Sequence, residues 1–192
     1  MEAALEFVFR WIHFLAGITW IGILYWLNFV NVPWQRVLDA SARPLVIPTL
    51  MPRVLAWFRH AAWVTVLMGL LLWWVKYAQY GNIIDTNNAK TILVGGLLGL
   101  IMAFNVWFII WPNQKRIIEA VKTGQTADPT WARRALYASR TNVILSWPML
   151  LFMDGAGHFG LDWAYIVIYG VIAAILAFLL LFSVQKWAVA KF

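Results

Sequence analysis

Three histidines, one lysine and one arginine carry most of the chemistry this sequence could do inside an apolar setting: His13, His60, His158, Lys90 and Arg140. The chain has no cysteine, which excludes disulfides, thiolate metal sites, iron–sulfur clusters and covalent c-type haem attachment. A metal would have to use His, Lys, carboxylate or Met. His13 opens a stripe that continues through Gly17, Trp20, Leu24 and Asn28, at steps of four, three, four and four, which is one face of a helix. Gly17 stands one turn from His13 and offers no side chain. That leaves room for a flat group beside the imidazole, such as a porphyrin, or equally for the close approach of a neighbouring helix. A histidine that simply hydrogen-bonds across a helix interface is the alternative for His13.

The elements that position these residues are membrane helices. Of the 192 residues, 63% are hydrophobic and 12% charged, a balance that a water-soluble fold of this size could not bury. Five stretches are long and apolar enough to span a bilayer, at about 8–30, 57–79, 90–111, 136–156 and 162–186. The expectation is an all-α integral membrane protein, a five-transmembrane-helix bundle forming one domain over 1–192. Asn31 to Ala56, with Pro33, Pro44, Pro48 and Pro52, reads as a loop in which Leu45–Leu50 touches the interface. Pro112 to Arg134 reads as a polar loop with a short surface helix at Gln114–Lys122 and a Gly124/Pro129 turn. The first apolar run is too long for a cleavable signal peptide, and Glu2 and Glu6 stand where its basic region would be.

Charge placement sets the orientation. Twelve of the 15 basic residues fall on one side: Arg36, Arg43, Arg53, Arg59, Lys115, Arg116, Lys122, Arg133, Arg134, Arg140, Lys186 and Lys191. Only Arg10, Lys76 and Lys90 fall on the other. The positive-inside rule then puts the N-terminus outside and the C-terminus in the cytoplasm. The net charge of +7 is therefore a topology signal, and no nucleic-acid partner is expected. Most of the 14 tryptophans suit an aromatic belt, whereas Trp20 and Trp147 lie deeper.

Depth along the helices sorts the candidates. His13 lies roughly 9 Å below the outer end of its helix at 1.5 Å per residue. His158 follows Gly155 and Gly157 at the outer end of the fourth span, and Lys90 opens the third span near the same surface. His13 could therefore share an iron or another metal with His158 or Lys90, but not with His60, which sits at the opposite face beside Arg59. Arg140 or Arg10 could meet a carboxylate or propionate. Gly95, Gly99 and Ala103 form a small-residue face for helix packing. Asn105 is a candidate for an interhelical hydrogen bond, and Pro148 should free a carbonyl in the fourth span.

Several stretches together resemble a known family. The run His13-x-x-x-Gly17-x-x-Trp20-x-Gly22 is similar to the first helix of the membrane domain of bacterial PuuD-type urate oxidase (urate hydroxylase). Asn105-Val-Trp-Phe-Ile-Ile-Trp-Pro112-Asn113-Gln114-Lys115-Arg116 resembles that family's "VMFIIIPNQR" stretch. A Gly-x-x-x-Asp128-Pro129 loop and a Ser139-Arg140-x-Asn142 segment leading to Pro148 and His158 extend the likeness. The His-x-x-x-Gly-x-x-Trp run also resembles the first helix of HemJ-type protoporphyrinogen oxidases and CopD-type copper proteins. The resemblance implies b-type haem held by His13, with His158 or Lys90 as second ligand and Gly17 and Trp20 lining the pocket. The sequence departs from the family's pattern at Thr141, where a histidine is expected, and at Val143, where an asparagine is expected. The family's full-length members carry a cytochrome c domain with a Cys-x-x-Cys-His site, so electrons here would pass to a separate cytochrome or larger membrane complex. The other reading is a non-catalytic accessory subunit of a respiratory or photosynthetic complex. A transporter is disfavoured because no inverted repeat is visible.

Overall fold

A computed structural model describes residues 2–81 and 84–187, with side chains for 3–81 and 84–183. Lys191 lies outside the described residues, as do the side chains of Glu2, Lys186 and Trp187. Among the described residues all regular structure is helical: α1 Glu2–Tyr25, α2 Val32–Val37, α3 Arg43–Lys76, α4 Asn87–Phe104, α5 Trp111–Lys122, α6 Pro129–His158 and α7 Trp163–Trp187. A π-helical segment, Trp26–Asn31, fuses α1 to α2, and a second, Asn105–Ile110, fuses α4 to α5. Five long rods result. Four of them are long and apolar enough to cross a membrane: Ala3–Val37, Arg43–Tyr80, Asn87–Lys122 and Trp163–Ser183. The chain is thus built as a multi-pass membrane protein.

The fifth rod, α6, is 30 residues long but less apolar, because it is the central helix. Its neighbours are α1, α4, α5 and α7, and its inner face carries Ser139, Asn142 and Ser146, all buried. In an apolar interior each of these must find a partner, and each finds it on a different rod segment. Asn28 Nδ2 donates to Ser139 Oγ at 2.8 Å. Asn105 Nδ2 donates to Asn142 Oδ1 at 2.8 Å, and Asn142 Nδ2 donates to the Met102 carbonyl at 2.9 Å. Tyr25 Oη meets Ser146 Oγ at 2.9 Å. Since Ser146 Oγ donates to the Val143 carbonyl, the phenol supplies the proton to Ser146. Asn105 is the interhelical group expected of it. Gly95 likewise packs closely, since a Cβ there would lie 3.2 Å from Phe152 Cβ.

Two expected loops are mostly helix. The first shrinks to Leu38–Ala42, because α1 runs on through the π segment to Val37 and α3 begins at Arg43. Pro44 sits in the first turn of α3, where a missing N–H is harmless, and Pro33 follows the π segment within the continuous Ala3–Val37 rod. Pro48 and Pro52 lie inside α3. Spaced by four, they remove backbone hydrogen bonds from the same side of the helix on which Met51, Leu55 and Phe58 are buried, so core packing offsets the loss there. The polar stretch after Pro112 holds α5, slightly longer than the expected Gln114–Lys122, and its turn contains Gly124 in the left-handed region at φ 70°. α6 starts at Pro129, capped by the Asp128 side chain.

These extensions have a consequence for depth. The 34 residues of α3 span about 51 Å at 1.5 Å per residue, against a hydrocarbon layer of about 30 Å. Measured back from Lys76, the excess falls on the half of α3 that holds Arg43 and Arg53. The basic residues therefore sit largely on helix rather than on loops.

Candidate functional site

α1 and α3 are packed along much of their length, and His13 marks their closest functional contact. Its Nδ1 lies 2.8 Å from the Thr65 carbonyl oxygen. A carbonyl can only accept, so Nδ1 carries the proton and Nε2 keeps its lone pair in the neutral ring. The ring rests on Gly69, where an added Cβ would sit 3.0 Å from His13 Cε1 and 3.3 Å from Nδ1. Thr65 is buried and ties its own hydroxyl to the Ala61 carbonyl. Thr65 and Gly69 are one turn apart on α3, so a single face of that helix supplies both the acceptor and the seat. Neither was singled out by sequence. The available signal was a Thr-x-x-x-Gly step within an otherwise bulky apolar run.

The rest of the α1 stripe is where the spacing put it. Gly17 faces Thr65, whose Cγ2 would lie 3.8 Å from an added Cβ, an ordinary packing distance. The space beside His13 is thus bordered by α3 at that level. Trp20 is 1% exposed, Leu24 is fully buried and Asn28 is 2% exposed. Trp20 Nε1 is buried and has no hydrogen-bond partner among the described residues. Trp147 lines an apolar groove of about 340 Å³ with Tyr25, Leu150, Tyr169 and Ala173, between α1, α6 and α7.

The other candidates lie outside the His13–Thr65–Gly69 contact. His158 is exposed in the last turn of α6, with Nε2 3.5 Å from Asp154 Oδ1. Lys90 is half-buried in the first turns of α4 and reaches Asn87 Oδ1 at 3.4 Å. The segments bearing these two are tied together: Asn88 Nδ2 donates to the Ala156 carbonyl at 2.7 Å, and the Leu161 N–H donates to Thr91 Oγ1 at 2.9 Å. Arg140 lies 18 residues before His158 on the same helix, roughly 27 Å away along its axis. One porphyrin cannot touch both. Arg10 is nearer to His13 but is paired with Glu6. His60 is exposed, with its Nδ1 donating back to the Ala56 carbonyl at 2.7 Å. Among the described residues no cluster of three or more His, Asp or Glu could hold a metal ion.

The comparison with known families addresses α4 to α7. The profile described as urate oxidase N-terminal matches residues 82–191, more than half of the chain. The chain belongs to the urate oxidase N-terminal family. No curated protein and no solved structure matches it. The urate oxidase N-terminal match takes in Lys90, Arg140, His158, the π segment at Asn105–Ile110 and the polar face of α6. The α1–α3 hairpin with His13, Thr65 and Gly69 precedes it.

Proposed function

We propose that this urate oxidase N-terminal family member is a membrane redox protein of the bacterial inner membrane that holds b-type haem through His13 and passes electrons to a separate partner. The observation that carries the reading is the His13–Thr65 hydrogen bond. A ligating imidazole normally donates its other N–H to a carbonyl or carboxylate, which fixes the ring and raises its basicity. His13 has that backing already, on an element that Gly69 lets approach closely. Haem, when bound, supplies a one-electron iron couple. The residues of this chain would hold it: His13 and either Lys90 or His158 would ligate the iron, and Gly17 and Trp20 would form an apolar wall. Arg10 is the cation within reach of a propionate, in exchange for Glu6. Five crossings with the N-terminus outside follow from the charge distribution, with α6 as the fifth. On that topology His13, Lys90 and His158 would share a leaflet. Urate is the substrate class that the family's name carries.

The test is a visible spectrum of the detergent-purified full chain, produced with haem precursor supplied. A Soret band is expected, lost in His13→Ala and shifted in Gly69→Val, which drives the ring off its seat. A wild-type chain without the band sinks the haem reading. The accessory-subunit reading then takes over and requires the chain to co-migrate with a larger complex in mild detergent.

A further inference from the structure

Arg59 is unlike the other cations of the bundle. Its guanidinium carbon lies 4.1 Å from the ring centroid of Trp111 and 5.4 Å from that of Trp107. Both indoles come from the π segment and start of α5, so α3 and α5 together hold the side chain in place. Arg59 is half-buried, and its Nε is sealed from solvent with no hydrogen-bond partner. Trp107 Nε1, in the same clamp, is also buried without a partner. Arg59 forms no ion pair or hydrogen bond among the described residues; the exposed Arg36, Arg116, Arg133 and Arg134 share that, but among the described arginines only Arg59 has a buried nitrogen without a partner. The acids in reach of the basic end are otherwise engaged or exposed: Asp39 binds Ser41, Asp128 binds Thr130, and Glu119 is exposed on α5.

A guanidinium with its planar fork fixed by aromatic stacking and its donors unspent is organised for a bidentate oxyanion. Buried donors without acceptors need an explanation in a native fold. Depth narrows the source. Arg59 is 17 residues from Lys76 on one helix, roughly 26 Å along its axis, close to the thickness of the hydrocarbon layer. With Lys76 near one surface, Arg59 stands at the other, among headgroups. Arg36, Arg43, Arg53, Lys115 and Arg116 lie on the helix extensions of that same end and add a positive field. We infer that Arg59, clamped by Trp107 and Trp111, is a phosphate-binding site at the membrane surface, taking the phosphodiester headgroup of an anionic lipid.

The test uses the full chain in neutral detergent, titrated with phosphatidylglycerol, with phosphatidylcholine and with inorganic phosphate, and read by native mass spectrometry for bound lipid. Phosphatidylglycerol should be retained in preference to phosphatidylcholine. Arg59→Lys keeps the charge but loses the fork and the stacking, and should weaken phosphatidylglycerol binding about tenfold. Arg133→Gln, a control at an exposed basic residue, should leave it unchanged. Trp107→Phe keeps a ring in the clamp and removes one donor. It should weaken binding several-fold, and it serves as the test if Arg59→Lys does not fold. Equal losses in Arg133→Gln and Arg59→Lys, or full retention in both Arg59→Lys and Trp107→Phe, would overturn the site. Competition by millimolar inorganic phosphate, with no preference for phosphatidylglycerol, would overturn the lipid source while keeping the phosphate chemistry.

Discussion

The α1–α3 hairpin and the α4–α6 hairpin follow one plan and put it to different uses. Each begins with a long rod whose π-helical segment precedes a proline: Asn31-Val32-Pro33 in the first, Ile110-Trp111-Pro112 in the second. Each proline opens a Pro-x-Gln-basic step, Pro33-Trp34-Gln35-Arg36 and Pro112-Asn113-Gln114-Lys115. Each connecting turn uses an aspartate to bind the backbone N–H two residues on, Asp39 to Ser41 and Asp128 to Thr130. Each returning helix has proline in its first turn. The crossing points differ. In the first hairpin a glycine on the returning helix, Gly69, seats an imidazole. In the second a glycine on the outgoing helix, Gly95, seats Phe152. The same device thus supports a chemically competent side chain in one hairpin and packing in the other. The second hairpin places its polar groups instead on the buried face of α6, where they join rods. The repeat runs in parallel, with both hairpins in the same sense, which is why a search for inverted halves does not reveal it.

The largest expected effect breaks the anchoring of the second hairpin. A Cβ at Gly160 would collide with the Asn88 side chain, and would sit 2.5 Å from the Asn88 backbone nitrogen and 2.7 Å from the Asn87 carbonyl carbon. Backbone cannot yield, so Gly160→Ala should cost about 3 kcal/mol and release the α6–α7 connection from α4. Thermal unfolding in detergent measures it, and an unchanged melting temperature refutes this account of the junction.

Next comes the polar face. Asn142→Leu removes the partner of Asn105 and the donor to Met102, and should cost about 1–2 kcal/mol. A double-mutant cycle with Asn105→Leu should recover part of that loss. Strictly additive costs would show that the two amides are not coupled.

The glycine pair sharpens the comparison directly. Gly95→Ala meets Phe152 Cβ at 3.2 Å and the Met149 carbonyl oxygen at 3.5 Å, atoms held close to the α6 backbone. It should destabilise by about 1 kcal/mol despite the better helix propensity of alanine. Gly69→Ala meets only the swinging end of an imidazole at 3.0 Å. It should be near neutral in stability, since the propensity gain of up to about 1 kcal/mol offsets the displacement. It should nevertheless loosen His13 from Thr65, seen as a shifted imidazole resonance in NMR. Similar stability losses at both glycines would erase the distinction between the two crossings.

The smallest effect lies in the turns. The Thr130 backbone N–H, then the Thr130 side chain, with Arg134 and Arg133 adding, hold the Asp128 carboxyl below its ordinary value. Ser41, through its side chain and then its backbone N–H, does the same for Asp39. A carboxylate with a lowered folded-state pKa stabilises above the unfolded value near 3.9, and the contribution fades as pH falls through the folded value. Asp128 caps α6, whereas Asp39 only ties its turn. Asp128→Asn should therefore flatten the acid limb of a pH–melting curve more than Asp39→Asn. The reverse order would mean that capping α6 stabilises the fold less than the Asp39 turn does.

Much of this architecture is legible in the residues. Apolar run length announces membrane rods, and the inward-facing stripe from half-buried His13 and Gly17 to buried Trp20, Leu24 and Asn28 follows from helical spacing, because periodicity reports which face turns inward. Gly95 and Asn105 carry their roles in their types: a missing side chain permits close approach, and an amide in hydrocarbon needs a partner. Three features were not legible. Pro48 and Pro52 suggest a loop, yet α3 runs through them, because Met51, Leu55 and Phe58 bind that same side to the core more strongly than two lost hydrogen bonds loosen it. Thr65 and Gly69 are ordinary residues in an apolar run, and their relation to His13 exists only across a helix pair. The clamp of Trp107 and Trp111 on Arg59 joins positions about fifty residues apart, whose separate types suggest only an interfacial belt. Sequence alone thus determined the solvent, the helices and which face of each is buried, since these depend on composition and on spacing within one element. Tertiary structure decided which carbonyl holds the imidazole proton, which arginine is clamped between two indoles with its Nε buried, and which glycine seats which ring. Those outcomes depend on the register between helices, and no local pattern encodes it.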